Sequence, residues 1–196
     1  LTDSSAASDV YKRQVSNSYF KAIDCTADED SAVCLGYEAL ANASNTAAFG
    51  ANSQALVDGA SALGYGSNAA KTFSTAVGHD AFSNGSNAVS VGSSSRALGS
   101  YSTAIGNSAR ASGSNSVAIG STASASNSSS IAIGQGSKAR SGESIAIGFN
   151  SNAFNTSALA IGTNSNATNI NALAIGVGSR ANYESSTAIG VDAEAM

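Results

Sequence analysis

One glycine recurs every 14 residues through most of this 196-residue chain, and that spacing constrains the fold more than any other feature. No insertion or deletion interrupts the series. Fixed self-similarity of this kind is typical of a solenoid, in which each repeat contacts mainly its neighbours. The twelve glycines are Gly36, Gly50, Gly64, Gly78, Gly92, Gly106, Gly120, Gly134, Gly148, Gly162, Gly176 and Gly190.

Composition and charge exclude several classes of protein. With 20 Gly, no Pro and 11% charged residues, the chain could be a disordered low-complexity tract, but the strict period argues against disorder. Between residues 31 and 190 six basic residues nearly balance five acidic ones, so no general field attracts nucleic acid or an anionic membrane. No run of eighteen apolar residues occurs, so the sequence predicts no membrane-spanning helix.

Each repeat predicts two short strands and two turns, whose positions are numbered by their offset from the repeat glycine. Offset −1 is always apolar and offset −2 is Ala in ten repeats, an alternation that indicates a strand before the glycine. Ser or Ala at +3 and +5 indicates a second strand. Residues such as Asn52 and Asp80 at +2, and Gly85 and Asn127 at +7, predict two turns with left-handed geometry. The predicted fold is all-β, a parallel β-roll of about twelve 14-residue coils.

The strand alternation also predicts which face lies inside. A 14-residue coil leaves little space between its two sheets, so we expect Ala, Ser and Gly inside and the large residues at −3 and −1 outside. The resulting apolar stripe is too large for a soluble monomer to expose, and it predicts a homo-oligomer sealed along the stripe. The alternative is a monomeric roll with Val and Ile inside and Ala outside. The predicted subunit interface comprises Val77, Val91, Ile105, Val117, Ile119, Ile131, Ile133, Ile145, Ile147, Leu159, Ile161, Leu173, Ile175 and Ile189.

The repeat resembles that of a known family. Residues 115–120 read Asn-Ser-Val-Ala-Ile-Gly, and Ser130 to Gly134, Ser144 to Gly148 and Ser186 to Gly190 are close to it. This is similar to the YadA-like heads of trimeric autotransporter adhesins, left-handed parallel β-rolls of 14-residue repeats. The resemblance implies a homotrimer with the Val/Ile stripe on the threefold axis, an extracellular place on a bacterial outer membrane, and adhesion to host matrix, cells or other surfaces. It also implies membrane attachment only through a C-terminal anchor absent from this chain.

The first coils depart from that motif, with Cys34-Leu35-Gly36-Tyr37 and Ala48-Phe49-Gly50. They look more like repeats in phage tail and environmental surface proteins, which keeps a structural spacer or a virion tail-fibre or spike segment as the alternative function. For the domain organisation, we expect residues 1–14 to be a disordered translated adapter read-through, 15–30 a lead-in, and 31–196 the C-terminally truncated head roll.

The sequence predicts no enzyme, cofactor or metal site. His79 is the single histidine, which excludes a catalytic triad or a histidine-based metal cluster other than across chains. Asp58 and Asp80 fall at different offsets, as do Glu143 and Glu184, so no acid–base pair of carboxylates is predicted.

Two further features leave alternatives open. Arg96, Arg110, Lys138 and Arg180 share offset +4, which points outward, and they are either a basic strip for a glycan or an acidic matrix segment, or ordinary solvated side chains. Cys25 and Cys34 either form a disulfide that ties the lead-in to the first coil, or Cys34 is a buried free thiol in a column otherwise filled by Ala.

Overall fold

The chain folds into a two-sheet parallel β-roll. The computed structural model describes residues 31–195 and the backbone of Cys25–Ala27; the predicted read-through segment and most of the predicted lead-in lie outside the described residues. Each strand pairs in parallel with the strand of the same kind one coil away, at a register shift of 14 residues, as between Val117 and Ile131. No helix occurs in the described part of the chain. The predicted all-β solenoid of about twelve coils with two strands each is confirmed.

The strands, numbered in chain order, form two sheets. The short-strand sheet has thirteen strands, mostly of two residues: β1 Cys25–Ala27, β3 Ala39–Ala41, β5 Gln54–Ala55, β7 Asn68–Ala69, β9 Phe82–Ser83, β11 Arg96–Ala97, β13 Arg110–Ala111, β15 Ser124–Ala125, β17 Lys138–Ala139, β19 Asn152–Ala153, β21 Asn166–Ala167, β23 Arg180–Ala181 and β25 Glu194–Ala195. The long-strand sheet has twelve strands of three residues: β2 Val33–Leu35, β4 Ala47–Phe49, β6 Ser61–Leu63, β8 Thr75–Val77, β10 Val89–Val91, β12 Thr103–Ile105, β14 Val117–Ile119, β16 Ile131–Ile133, β18 Ile145–Ile147, β20 Leu159–Ile161, β22 Leu173–Ile175 and β24 Thr187–Ile189.

The interior of the roll is filled by small side chains. Ala118 and Ala132 on the long-strand sheet and Ala125 and Ala139 on the short-strand sheet all have no exposed surface. The Val and Ile residues beside them in sequence point outward. The prediction that Ala and Ser lie inside is therefore confirmed, and the alternative with Val and Ile inside is wrong. The reason is steric, because two sheets joined by such short turns approach too closely for larger inner side chains.

The repeat glycine is required by both conformation and space. Gly120 has a φ of 128°, a value that residues with a side chain rarely adopt. A Cβ atom built on it would lie 2.6 Å from the carbonyl carbon of Gly134 on the next coil. A side chain there would both strain its own backbone and collide with the neighbouring one, which accounts for the unbroken series of glycines.

The two turns differ from the sequence prediction in one respect. The left-handed residue of the first turn lies at +2, as predicted, with Asn52 at φ 57° and Asp80 at φ 52°. The second turn does begin at +7, but its left-handed residue lies at +9, as in Asn115 and Ser129, both at φ 56°. The prediction of left-handed geometry at +7 is wrong. Both turns close with a hydrogen bond from the fourth residue to the first carbonyl, and left-handed geometry then falls on the third residue.

Residues at +7 serve the packing of coils. Asn127 Nδ2 donates a hydrogen bond to the carbonyl of Arg140 at 2.8 Å, and Asn155 Nδ2 donates to that of Thr168 at 2.7 Å, in each case on the following coil. Where Gly113 occupies the same offset, an added Cβ would lie 2.0 Å from the carbonyl carbon of Asn127. From Gly85 to Asn169, offset +7 thus takes residues that bond to the next coil or that allow it to approach closely.

Most buried serines bond to the carbonyl at the start of a turn. Ser137 Oγ donates to the Gly134 carbonyl at 2.9 Å, and Ser116 Oγ donates to the Gly113 carbonyl at 2.6 Å. Such local bonds satisfy hydroxyl groups that would otherwise be costly to bury. Ser102 is an exception, since its buried Oγ has no hydrogen-bond partner.

A polar layer divides the alanine core into two clusters. One cluster runs from Ala39 to Ala81 and the other from Ala88 to Ala188. Between and beside them, Ser83 and Ser90 replace alanine at inner positions. Ser90 Oγ lies 2.7 Å from Ser95 Oγ across the roll, and Ser83 Oγ donates to the Ala88 carbonyl at 3.0 Å. The layer is therefore held by hydrogen bonds in place of methyl contacts.

Candidate functional site

Two columns of outward side chains run along the long-strand sheet, one apolar throughout and the other mostly apolar. One column passes through Val117, Ile131 and Ile145 in register, and the other through Ile119 and Ile133 and onward. These side chains are half-buried in the single chain, whereas the alanine between them is fully buried. All fourteen residues predicted at the subunit interface lie in these two columns and are half-buried or exposed.

The exposed fraction of the stripe is large at several coils. Ile105 is 38% exposed, Leu63 is 52% exposed and Ile189 at the last coil is 65% exposed. Parallel sheets whose strands are apolar on both faces are nearly always covered on both faces. The long-strand sheet is covered on its inner face by the short-strand sheet, and among residues 31–195 no strand covers its outer face.

The outer face of the short-strand sheet has a different chemistry. Arg96, Arg110, Lys138 and Arg180 all point outward from it and are exposed. Arg96 and Arg110 are direct neighbours on adjacent strands, whereas Arg180 is followed in register by Glu194. The four residues therefore do not form one cluster, since Arg180 lies three coils beyond Lys138.

Sequence reasoning missed one cation on this face. Arg140 lies two residues after Lys138, so both side chains leave the sheet on the same side. Its guanidinium carbon lies 4.5 Å from the centre of the Phe154 ring on the next coil, at cation–π distance. Alternation with period two places offsets +4 and +6 on the same face, which is the sequence signal for Arg140. The column at +6 also holds residues as different as Leu98 and Thr168, so the repeat spacing does not distinguish Arg140 from them.

The residues considered for catalysis or metal binding are scattered. His79 stacks on Tyr65, with ring centres 5.3 Å apart, and its Nδ1 lies 3.2 Å from Asp80 Oδ2. Both His79 and Asp80 are more than half exposed. Among residues 31–195 no group of three or more His, Cys, Asp or Glu side chains is placed to hold a metal ion. This arrangement is that of an exposed turn with a stacked pair of rings.

Cys34 is disulfide-bonded in the structure, and the chain contains two cysteines. The alternative of a free thiol at Cys34 is therefore wrong. The backbone of β1, which contains Cys25, pairs in parallel with Ala39–Ala41 and so extends the short-strand sheet by one strand.

A family comparison matches almost all of the repeat region. The model of the YadA head domain repeat, which spans two copies of the repeat, matches residues 27–53, 58–81, 83–109, 111–137, 139–165 and 167–195. The chain belongs to the YadA head repeat family. A comparison with individually curated proteins found no match. Each family match covers about two coils of the roll, so six matches account for the twelve coils that carry the repeat glycine.

The match to the YadA head family reaches both ends of the described roll. The family match extends N-terminally to residue 27, into β1, and C-terminally to residue 195, the last described residue. The part of this YadA head that the structure describes includes no helix with the length and hydropathy of a membrane span.

Proposed function

We propose that the chain is the adhesive head of a homotrimeric protein displayed on a bacterial surface, with the outer faces of three long-strand sheets meeting along a threefold axis. The observation that carries this proposal is the apolar stripe on a roll whose interior is already filled by alanine and serine. The outward Val, Ile and Leu side chains cannot be buried in the interior of their own roll, because Ala and Ser already fill it. Membership of the YadA head family supports the adhesive role and the extracellular location.

The composition of the two columns supports a subunit interface along the apolar stripe. The column directly before the repeat glycine is apolar in every coil, whereas the column two residues earlier also admits Thr75, Thr103 and Thr187. Fully burying one Val or Ile contributes roughly 1.5–3 kcal/mol, so covering even part of the stripe stabilises an obligate oligomer. We expect the column at −1 to lie closer to the threefold axis.

The assembly is tested by measuring mass in solution and then placing charges on the stripe. We expect light scattering on the full chain to give three times the 19.1 kDa chain mass. The double variant Ile119→Asp with Ile133→Asp is expected to dissociate while keeping the β-sheet circular dichroism spectrum, because burying unpaired carboxylates at a subunit interface is costly. The measurement is the mass across a dilution series.

The matched control places the same two charges on the opposite sheet. Ser124→Asp with Asn152→Asp adds two carboxylates on outward positions of the short-strand sheet, and we expect it to remain trimeric. A wild-type chain that is folded and monomeric, or a control that dissociates as readily as the stripe variant, would contradict the proposed assembly.

Adhesion is tested with the purified trimer on immobilised matrix proteins and on cultured cells. We expect saturable binding to at least one of these surfaces. Absence of binding across the whole panel would favour the alternative of a structural spacer or tail-fibre segment built from the same roll.

A further inference from the structure

The outer face of the short-strand sheet carries a cluster of positive charge between coils that are otherwise nearly neutral. We call Arg96, Arg110, Lys138 and Arg140 the basic face. All four side chains are exposed, and no Asp or Glu occurs between residues 81 and 142. Six basic and five acidic residues occur between residues 31 and 190, and four of those six cations lie on this one face.

The sheet fixes the spacing of these cations. Arg96 and Arg110 are register partners on adjacent strands, about 4.8 Å apart along the roll. Ser124 occupies the next strand and Lys138 the strand after it, in the same column. Arg140 stands beside Lys138 in the neighbouring column. The basic face is therefore a strip that follows the long axis of the roll over four coils.

Among residues 31–195 no carboxylate forms an ion pair with a cation of the basic face. Like charges directly opposite each other on neighbouring strands are destabilising, so Arg96 and Arg110 carry a cost. The single contact at ion-pair distance between a basic nitrogen and a carboxylate among residues 31–195 joins His79 Nδ1 to Asp80 Oδ2, outside the basic face. Glu143, three residues beyond Arg140, lies in a turn and accepts a hydrogen bond from Ser157 Oγ at 3.2 Å. Arg180, by contrast, has Glu194 as its register partner.

The surroundings of the basic face are suited to sugar hydroxyl groups. Ser112, Ser124, Ser126 and Asn152 place hydroxyl and amide groups between and beside the cations. Arg110 Nε donates to Ser112 Oγ at 2.9 Å, which holds the guanidinium across the sheet. The half-buried Phe154 ring, in contact with Arg140, adds one aromatic surface at the end of the strip.

We propose that the basic face binds a linear sulfated polysaccharide that lies along the axis of the roll. This inference rests on the proposed function, because a trimer sealed by its long-strand sheets presents its short-strand sheets to solvent. Arginine pairs in two-point fashion with planar or tetrahedral oxyanions, and a column of cations matches a polymer with repeated anionic groups. Clusters of arginine also recognise acidic peptides, but this face offers no sheet edge or apolar groove to hold the rest of a peptide. The Ser and Asn side chains beside the cations favour a polyanion that also carries hydroxyl groups.

The test measures binding of the full chain to immobilised heparin by surface plasmon resonance at several salt concentrations. The variant Arg96→Asn, Arg110→Asn, Lys138→Asn keeps the roll, because Asn68, Asn152 and Asn166 already occupy the same column. Removing three cations is expected to weaken the affinity about tenfold at physiological salt and to reduce the salt dependence of binding. Neutral dextran should not compete for heparin, and the unsulfated polyanion hyaluronan should compete more weakly than heparin does.

The matched control is Arg180→Asn, which makes one of the same changes in the same column beside Glu194. We expect its affinity to change less than about twofold. The single variant Arg110→Asn should lose more heparin affinity than Arg180→Asn does. Equal loss of affinity in these two variants would overturn the inference in favour of unspecific charge attraction. Equal competition by polyglutamate and heparin would overturn it in the same way. Failure of heparin binding by a trimer that still adheres to matrix or cells would refute this inference alone. A monomeric chain that binds heparin through these residues would instead refute the proposed assembly alone.

Discussion

The two sheets of the roll share their inner chemistry and differ in their outer chemistry. Facing inward, both present Ala and Ser with no exposed surface, as in Ala118 and Ala125. Facing outward, the long-strand sheet presents Val, Ile and Leu, whereas the short-strand sheet presents Arg, Asn, Ser and a few larger residues. A roll this thin admits only small side chains inside, where coils differ by exchange of Ala and Ser, so all large and charged side chains lie on the outer faces or in the turns.

The largest effect is expected from enlarging an inner side chain on either sheet. Ala132→Leu on the long-strand sheet and Ala139→Leu on the short-strand sheet should each destabilise the fold by about 3 kcal/mol, because both positions are completely buried against small neighbours. Ser124→Leu, an outward change of similar size, should change stability by less than about 0.5 kcal/mol. The thermal midpoint at equal chain concentration measures all three. Tolerance of leucine at only one of the two inner positions would contradict the equivalence of the inner faces.

A smaller change in stability is expected on replacing either of two serines at the same inner offset, and the two replacements should act in opposite directions. Ser116→Ala removes the hydrogen bond to the Gly113 carbonyl and should cost about 1 kcal/mol. Ser102→Ala removes a buried hydroxyl without a partner and should stabilise the roll by up to about 1 kcal/mol. Alanine fits this offset, since Ala88 and Ala158 occupy it. Chemical denaturation of both variants beside the wild type gives the comparison, and a loss of stability in Ser102→Ala would show that its hydroxyl has a partner.

The smallest effect is expected at the turn that connects the short-strand sheet back to the long-strand sheet. Asn155→Ala removes the hydrogen bond to the Thr168 carbonyl on the next coil and should cost roughly 0.5–1 kcal/mol. Asn155→Ser should retain most of the stability, because Ser141 at the same offset donates to the Phe154 carbonyl at 3.0 Å. Amide hydrogen exchange near Thr168 provides the local measurement. Equal exchange in both variants would mean that the side-chain bond does not hold the coils together.

The amino-acid pattern is sufficient to predict the period, the two strands of each coil and the face that each strand residue occupies. The glycine at every fourteenth position and the alternation of alanine with Val or Ile left one arrangement compatible with a thin roll, and the buried alanines confirm it. The predicted interface and the basic column stay predictions, because a single chain shows that these residues point outward but not what they contact.

Residues whose chemistry suits several tasks take their roles from the packing of neighbouring coils. Both Gly and Asn tolerate left-handed geometry, but Gly also allows close approach and Asn also donates a side-chain hydrogen bond. The residue type therefore does not show that Asn115 at +9 is left-handed whereas Asn127 at +7 donates a hydrogen bond to the next coil. The disulfide at Cys34, the placement of Arg140 beside Lys138 and the unpaired hydroxyl of Ser102 likewise depend on where neighbouring strands and coils lie. Local patterns encode the face and the period, whereas contacts between coils are set by backbone distances that no single repeat contains.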